Sequence, residues 1–137
     1  MPRALTQADY RRLAEFRYVL RQFLIFSDNA AAASDLTAQQ HQALLAIKGL
    51  GGAAPVTAGA LAERLGIRHH SAVGLIDRLA RKALVRRQRG AHDRRQVLIV
   101  ATAKADRLLS KLSAAHHREL RRLAPLLRGL LEDLARG

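Results

Sequence analysis

Apolar positions recur along most of this chain at helical spacing, in blocks separated by short polar or glycine-containing breaks. From Thr6 to about Phe26, the residues Leu13, Phe16, Leu20, Phe23 and Leu24 share one helical face, widened by Val19 and Phe26. All five aromatics of the protein lie in these first 26 residues. So apolar a helix must be covered, by the core of its own chain or by a second chain, and either leaves room for a ligand pocket at its base. Residues 27–35, SDNAAAASD, read as a connector or as an extension of that helix. A new start follows at Leu36-Thr37, where Thr37 can cap free backbone N–H groups and Gln40 can reach back to complete a capping box. This second helix carries Leu44, Leu45 and Ile47 and is expected to stop at Gly49. Thr57 is a suitable cap for the next.

The pattern then tightens. Leu61-Ala-Glu-Arg-Leu65 is followed by Gly66, which tolerates the positive φ of a sharp turn, and a further helical run begins near His69 and reaches Lys82. Two helices joined so briefly read as a helix-turn-helix. Beyond them VRRQR and RRQVLIV flank Gly90-Ala91-His92-Asp93, the signature of a β-hairpin, with Val97 to Val100 as its apolar strand. The fold class expected is mainly α with a small β-hairpin wing: a winged helix-turn-helix flanked by long N- and C-terminal helices. Domain bounds are expected at 1–35, 36–101 and 102–137.

In the second helix of the pair, Ala72, Leu75, Ile76 and Leu79 form one apolar stripe. Opposite lie His70, Gly74, Asp77 and Arg81, with Ser71, Val73 and Arg78 beside them. Such a face suits a DNA major groove, where side chains of the N-terminal turns meet base edges. It equally fits a solvated surface carrying a neutral glycine. Arg81 and Lys82 complement the negative end of the helix dipole, or in the case of Arg81 reach a phosphate. In the wing, Asp93 is a lone acid among Arg86, Arg87, Arg89, Arg94 and Arg95. Its carboxylate can accept a wing N–H or hold an arginine in one rotamer.

After the wing, Thr102 can cap a last long helix on which Leu109, Leu112, His116, Leu120 and Leu123 recur as a coiled-coil-like seam. Pro125 predicts a break and a new helix, with Leu126, Leu127, Leu130, Leu131 and Leu134 as its apolar face. Terminal helices carrying more apolar surface than so short a chain can cover imply a second copy in a two-fold dimer. The residues assigned to that interface are Leu13, Phe16, Leu20, Phe23, Leu112, Leu120, Leu123, Leu127, Leu130, Leu131 and Leu134.

Charge sharpens the reading. The net charge is +13 over 137 residues. With 13 Lys and Arg against 4 Asp and Glu, residues 61–111 hold +9 of it. A polyanionic partner is the simplest explanation, and double-stranded DNA fits a basic hairpin better than an acidic membrane does. No apolar run approaches a membrane span, and the N-terminus lacks the apolar core of a signal peptide, so the expected location is the cytoplasm. With no cysteine, disulfides and thiol sensing are excluded. There is no phosphate-binding glycine loop, nucleophile elbow or HExxH helix, so no enzyme is expected, and no cofactor. The histidine pairs His69-His70 and His116-His117 point about 100° apart on a helix, so no metal site is expected. His116, on the apolar seam, is expected to be buried and hydrogen-bonded, or else to respond to pH or ligand.

The run LAERLGIRHHSAVGLIDRLARKALVRR, then Asp93-Arg94-Arg95 and a strand ending in Ala101-Thr102, resembles the MarR family of bacterial transcription regulators. The likeness covers nearly the whole chain, and its specific parts are LAERLGI, SAVGLIDRL and the Asp-x-Arg of the wing. Three positions depart from the pattern: Ala83 and Ala105 stand where glycines are usual, and Ala101 where leucine is. The resemblance implies a homodimeric regulator, more often a repressor, on a pseudo-palindromic operator. His70, Ser71 and Gly74 would lie near base edges with His69 beside them, and Arg68, Arg78 and Arg81 on or near the backbone. Arg95 would reach the minor groove from the wing tip, leaving Arg87, Arg89 and Arg94 as backbone contacts or solvated charges. In the family, small anionic or aromatic ligands bind between dimerisation helices and winged helix and release the DNA. A non-specific architectural DNA binder and a winged helix used for protein–protein contact are the alternative readings.

Overall fold

The computed structural model describes residues 2–136. In chain order they form α1 (Gln7–Ala33), α2 (Ala38–Gly51), β1 (Val56–Thr57), α3 (Ala58–Leu65), α4 (His69–Arg81), β2 (Val85–Arg89), β3 (Val97–Ala101) and α5 (Ala103–Arg136). The chain divides into two compact units. One is Ala31–Leu112; the other joins the N-terminal residues through Ala30 to the C-terminal residues from Ser113.

The Ala31–Leu112 unit is the winged helix. The expected capping box at its first helix is present: Thr37 Oγ1 accepts the Gln40 N–H at 3.0 Å, and Gln40 Oε1 accepts the Thr37 N–H at 3.1 Å. The helix it starts, α2, runs two residues past Gly49 to Gly51, and Gly52 takes the positive φ that ends it. Thr57 caps α3 through the Ala60 N–H. Leu44, Ile47, Leu61, Leu75, Leu79, Leu84 and Ile99 are its fully buried large side chains. The wing hairpin is part of a three-stranded antiparallel sheet in the order β1-β3-β2. β1 is too short to carry any alternation, and sequence periodicity could not reveal it. Thr102 Oγ1 accepts the Ala105 N–H at the start of α5, as expected, and also donates to the Ala83 carbonyl at 2.7 Å. That residue, Ala83, has φ +59°. The departure from glycine at this position therefore leaves a Cβ in the left-handed region, where only glycine is unstrained.

The other unit packs Val19 of α1 against Leu123 and Leu130 of α5, with Phe16, Phe23 and Leu127 half-buried around them. The predicted stripe of α1 is thereby divided. Its Phe16, Val19 and Phe23 line is covered within the chain, whereas Leu13, Leu20 and Leu24 stay 44, 40 and 53% exposed. Leu120, Leu126 and Leu131 of α5 are also exposed, Leu134 is half-buried, and Leu112 is buried in the winged-helix unit. Residues 27–33 extend α1; the alanine run outweighs its flanking Asp and Asn as a helix former. The break predicted at Pro125 does not occur, and α5 is continuous through it. Proline forfeits one backbone hydrogen bond, but Pro125 sits on the exposed side. Leu123, Leu127 and Leu130 bury one face on both sides of it, which holds the two halves in one helix. His116 is half-buried: its Nε2 lies 2.8 Å from Ser27 Oγ, and Phe23 and Phe26 meet its ring edge-on. In the first turn of α1, Asp9 is buried and accepts from Arg3, from the Thr6 N–H and from the Thr6 hydroxyl. The Arg3 guanidinium first, and then the Thr6 donors, hold its carboxyl far below the usual carboxylate range.

Candidate nucleic-acid interface

The turn between α3 and α4 is made by Gly66 in the left-handed region, φ +66° and ψ +34°, whose N–H closes on the last turn of α3. Ile67 N–H donates to the Ala62 carbonyl, so the turn ends in a fixed direction and α4 begins at His69. No side chain caps α4 at Arg68. Its first N–H groups are left for solvent or for an anion drawn by the positive end of the helix dipole.

α4 buries the stripe the sequence predicts: Ala72, Leu75, Ile76 and Leu79 are each at most 2% exposed. The opposite face presents Arg68, His69, His70, Ser71, Arg78 and Arg81 to solvent, with Gly74 and Asp77 half-buried between them. A Cβ built on Gly74 would meet only Arg78 Nη1, at 3.6 Å, an ordinary contact. Nothing in the fold therefore requires glycine at position 74. What it leaves is a shallow outer surface in mid-helix, where another molecule can approach the backbone.

The wing pairs β2 with β3 from Val85↔Ala101 to Arg89↔Val97. Strand β3 starts at Val97, so Arg94, Arg95 and Gln96, which the sequence suggested as strand, lie in the turn. Two hydrogen bonds hold them there, from the Gly90 N–H to the Gln96 carbonyl and from the Gln96 N–H to the Asp93 carbonyl. Gly90 is required: an added Cβ would come within 2.6 Å of the Asp93 carbonyl oxygen. Asp93 acts through the first of its two expected roles. Its Oδ1 accepts the Arg95 N–H at 2.9 Å and so shapes the wing tip. Arg89, Arg94 and Arg95 are exposed around it.

Arg87 is placed otherwise. Its guanidinium pairs with Asp77 of α4. The ion pair joins the outer face of α4 to the wing strand and offsets the one acid on that face. His69, Val73, Asp77, Arg87, Arg95 and Val97 line a cleft of about 370 Å³ between α4 and the wing. His69 therefore borders this cleft as well as the outer face. Sequence reasoning missed the pair because its members sit ten residues apart on different elements. The available signal was an unpartnered acid on one face and a basic strand next in the chain. Among the described residues no three His, Asp or Glu side chains gather as a metal site, and no helix is long and apolar enough to cross a membrane.

Residues 34–96 match a family model described as the MarR family. A search of curated proteins gave no match. Among solved structures, the chain is similar to a MarR family protein from Bacillus stearothermophilus at 21% identity and a TM-score of 0.76, over 96% of this chain and 99% of that one. It is similar to a mutant MarR from E. coli complexed with operator DNA at 20% identity and a TM-score of 0.67, over 96% and 99%. It is also similar to CouR from Rhodococcus jostii RHA1 bound to p-coumaroyl-CoA, at 24% identity and a TM-score of 0.67, over 87% of each chain. At these identities the structures establish a shared winged-helix fold, and the likeness to the MarR family model lies in residues 34–96, the winged-helix segment.

Proposed function

We propose that the protein is a sequence-specific DNA-binding transcription regulator, a repressor, working as a homodimer. The observation that carries this reading is the outer face of α4. Exposed hydrogen-bonding side chains surround a glycine the fold does not need, beside a wing tip of unpaired arginines. His70 and Ser71, in the first turn, are the base-reading residues, with Gly74 allowing close approach. Arg68, Arg78 and Arg81 contact phosphates. Arg95, held by Asp93, enters the minor groove with Arg94 and Arg89 on the flanking backbone. Arg87 serves by neutralising Asp77. The operator DNA bound by the E. coli MarR mutant supports the assignment, since that protein shares the fold.

The exposed leucines at positions 13, 20, 24, 120 and 131 are the surface for a second copy. A two-fold dimer would read half-sites about 10 bp apart. A small anionic or aromatic ligand releases the DNA, a reading supported by the acyl-CoA bound to CouR. Selection of bound sequences from a random duplex pool at near-physiological salt tests the proposal. An enriched inverted repeat is expected. Strong retention without enrichment would make the protein an architectural binder, and no retention would favour a protein–protein module.

A further inference from the structure

The outer face of α4 is polar with one exception. Val73 is the one large apolar side chain of that helix left exposed, at 39%, whereas Leu75, Ile76 and Leu79 are buried. It stands four residues from both His69 and Asp77, on the edge of α4 that borders the wing cleft. Val97 lines the same cleft from β3 and is itself 46% exposed, so the wing leaves Val73 uncovered. Core packing therefore does not account for a valine at this position. Helix formation does not either, because a β-branched side chain lowers helix propensity relative to alanine.

The charged neighbours on that edge are already engaged. Asp77, whose carboxylate could accept from a cytosine amino group, is paired with Arg87 of the wing strand. The pair removes a free acid and a free cation from beside Val73. Gly74 follows and adds no side chain of its own to that face. A valine side chain is short, so it meets a neighbouring molecule only where the helix comes close, and Gly74 permits that approach. In a helix its χ1 is held almost to a single rotamer, so little side-chain freedom is left to lose on contact.

In the major groove, the apolar mark on a base edge is the C5-methyl of thymine; the others are hydrogen-bond donors and acceptors. We propose that Val73 reads that methyl group, selecting thymine over cytosine at one position of each half-site. A cytosine methylated at C5 carries the same group in the same place and is accepted there. This assignment rests on the reading of α4 as a recognition helix, and it adds an apolar contact to the hydrogen bonds expected of His70 and Ser71.

The test uses the full chain and the operator enriched from the random duplex pool. Each thymine of the half-site is replaced in turn by deoxyuridine, in both half-sites together, which removes the methyl and keeps every base-pair hydrogen bond. At one position, anisotropy titration should show a loss of about fourfold per methyl, hence roughly 15-fold for the two half-sites. In Val73→Ala the loss at that position should shrink to about twofold or less, while losses at other thymines stay unchanged. Val73 is exposed and alanine is the better helix former, so this variant should not lower the thermal midpoint. A cytosine–guanine pair at the same position should bind the wild type more weakly, and methylating that cytosine at C5 should recover about fourfold per half-site. Val73→Ala should not respond to the methylation. Deoxyuridine losses of equal size in wild type and Val73→Ala at every thymine would overturn the proposal and leave sequence-specific binding standing. So would an enriched operator with no thymine in its half-sites. A pool without enrichment would instead overturn the recognition-helix reading, and the methyl readout with it.

Discussion

Substituting Gly74 by alanine should move stability and DNA affinity in opposite directions. In a helix interior, alanine is favoured over glycine by about 1 kcal/mol, because it loses less backbone freedom on folding. The added Cβ meets only the end of the Arg78 side chain at 3.6 Å, so no overpacking offsets the gain. Gly74→Ala should therefore raise the unfolding free energy by up to about 1 kcal/mol, read from guanidinium denaturation at one fixed protein concentration. On the DNA the same methyl would stand where the helix is closest to a base or phosphate. Wedging a methyl into a fitted contact costs about 1–3 kcal/mol. The selected operator should then bind roughly 5- to 150-fold more weakly in an anisotropy titration. Unchanged affinity would refute the idea that position 74 is a point of close approach and leave that face merely solvated. A loss of stability would refute the packing argument itself.

Ala83→Gly should stabilise the fold by about 0.5–1 kcal/mol in the same denaturation assay. It relieves a Cβ held at φ +59°, partly offset by the greater freedom of glycine in the unfolded chain. Asp77→Asn removes the acid that occupies Arg87, and the freed arginine should steepen the salt dependence of duplex binding by about one phosphate contact while raising affinity for random sequence. The Asp9 carboxyl is depressed in the folded chain, so its stabilisation is complete above its unfolded value near ~3.9 and is lost as pH falls towards its folded value. The gap in thermal midpoint between wild type and Asp9→Asn should accordingly be full at pH 7 and shrink below about pH 4; a gap constant down to pH 2 would count against this account.

What the sequence made legible was local. The Thr37 and Gln40 capping box, the left-handed Gly66 and the buried stripe of α4 each depend on residues within a few positions of one another, and each is present in the fold. Local signals misled where a neighbour outside the window decided the outcome. Pro125 argues for a break, yet the face shared by Leu123, Leu127 and Leu130 keeps α5 whole. Residues 94–96 look like strand, yet the hydrogen bonds of Gly90 and Asp93 draw them into the wing turn. The least legible features are the charge pairings. The basic segment 61–111 suggests one long cationic surface, but its cations are not all placed alike. Arg87 is taken up by Asp77, the wing-tip arginines lie exposed around Asp93, and Lys82 and Lys104 bond to neutral oxygens beside an apolar wall. Net charge alone would credit all of them to nucleic acid. Their surroundings divide them between an exposed wing-tip set, which the proposed function assigns to DNA, and a set beside the apolar wall of Leu36, Leu84 and Leu108. The two sets predict different salt slopes: removing a wing-tip arginine should lower the slope of duplex binding by nearly one unit, and removing Lys111 should leave it unchanged.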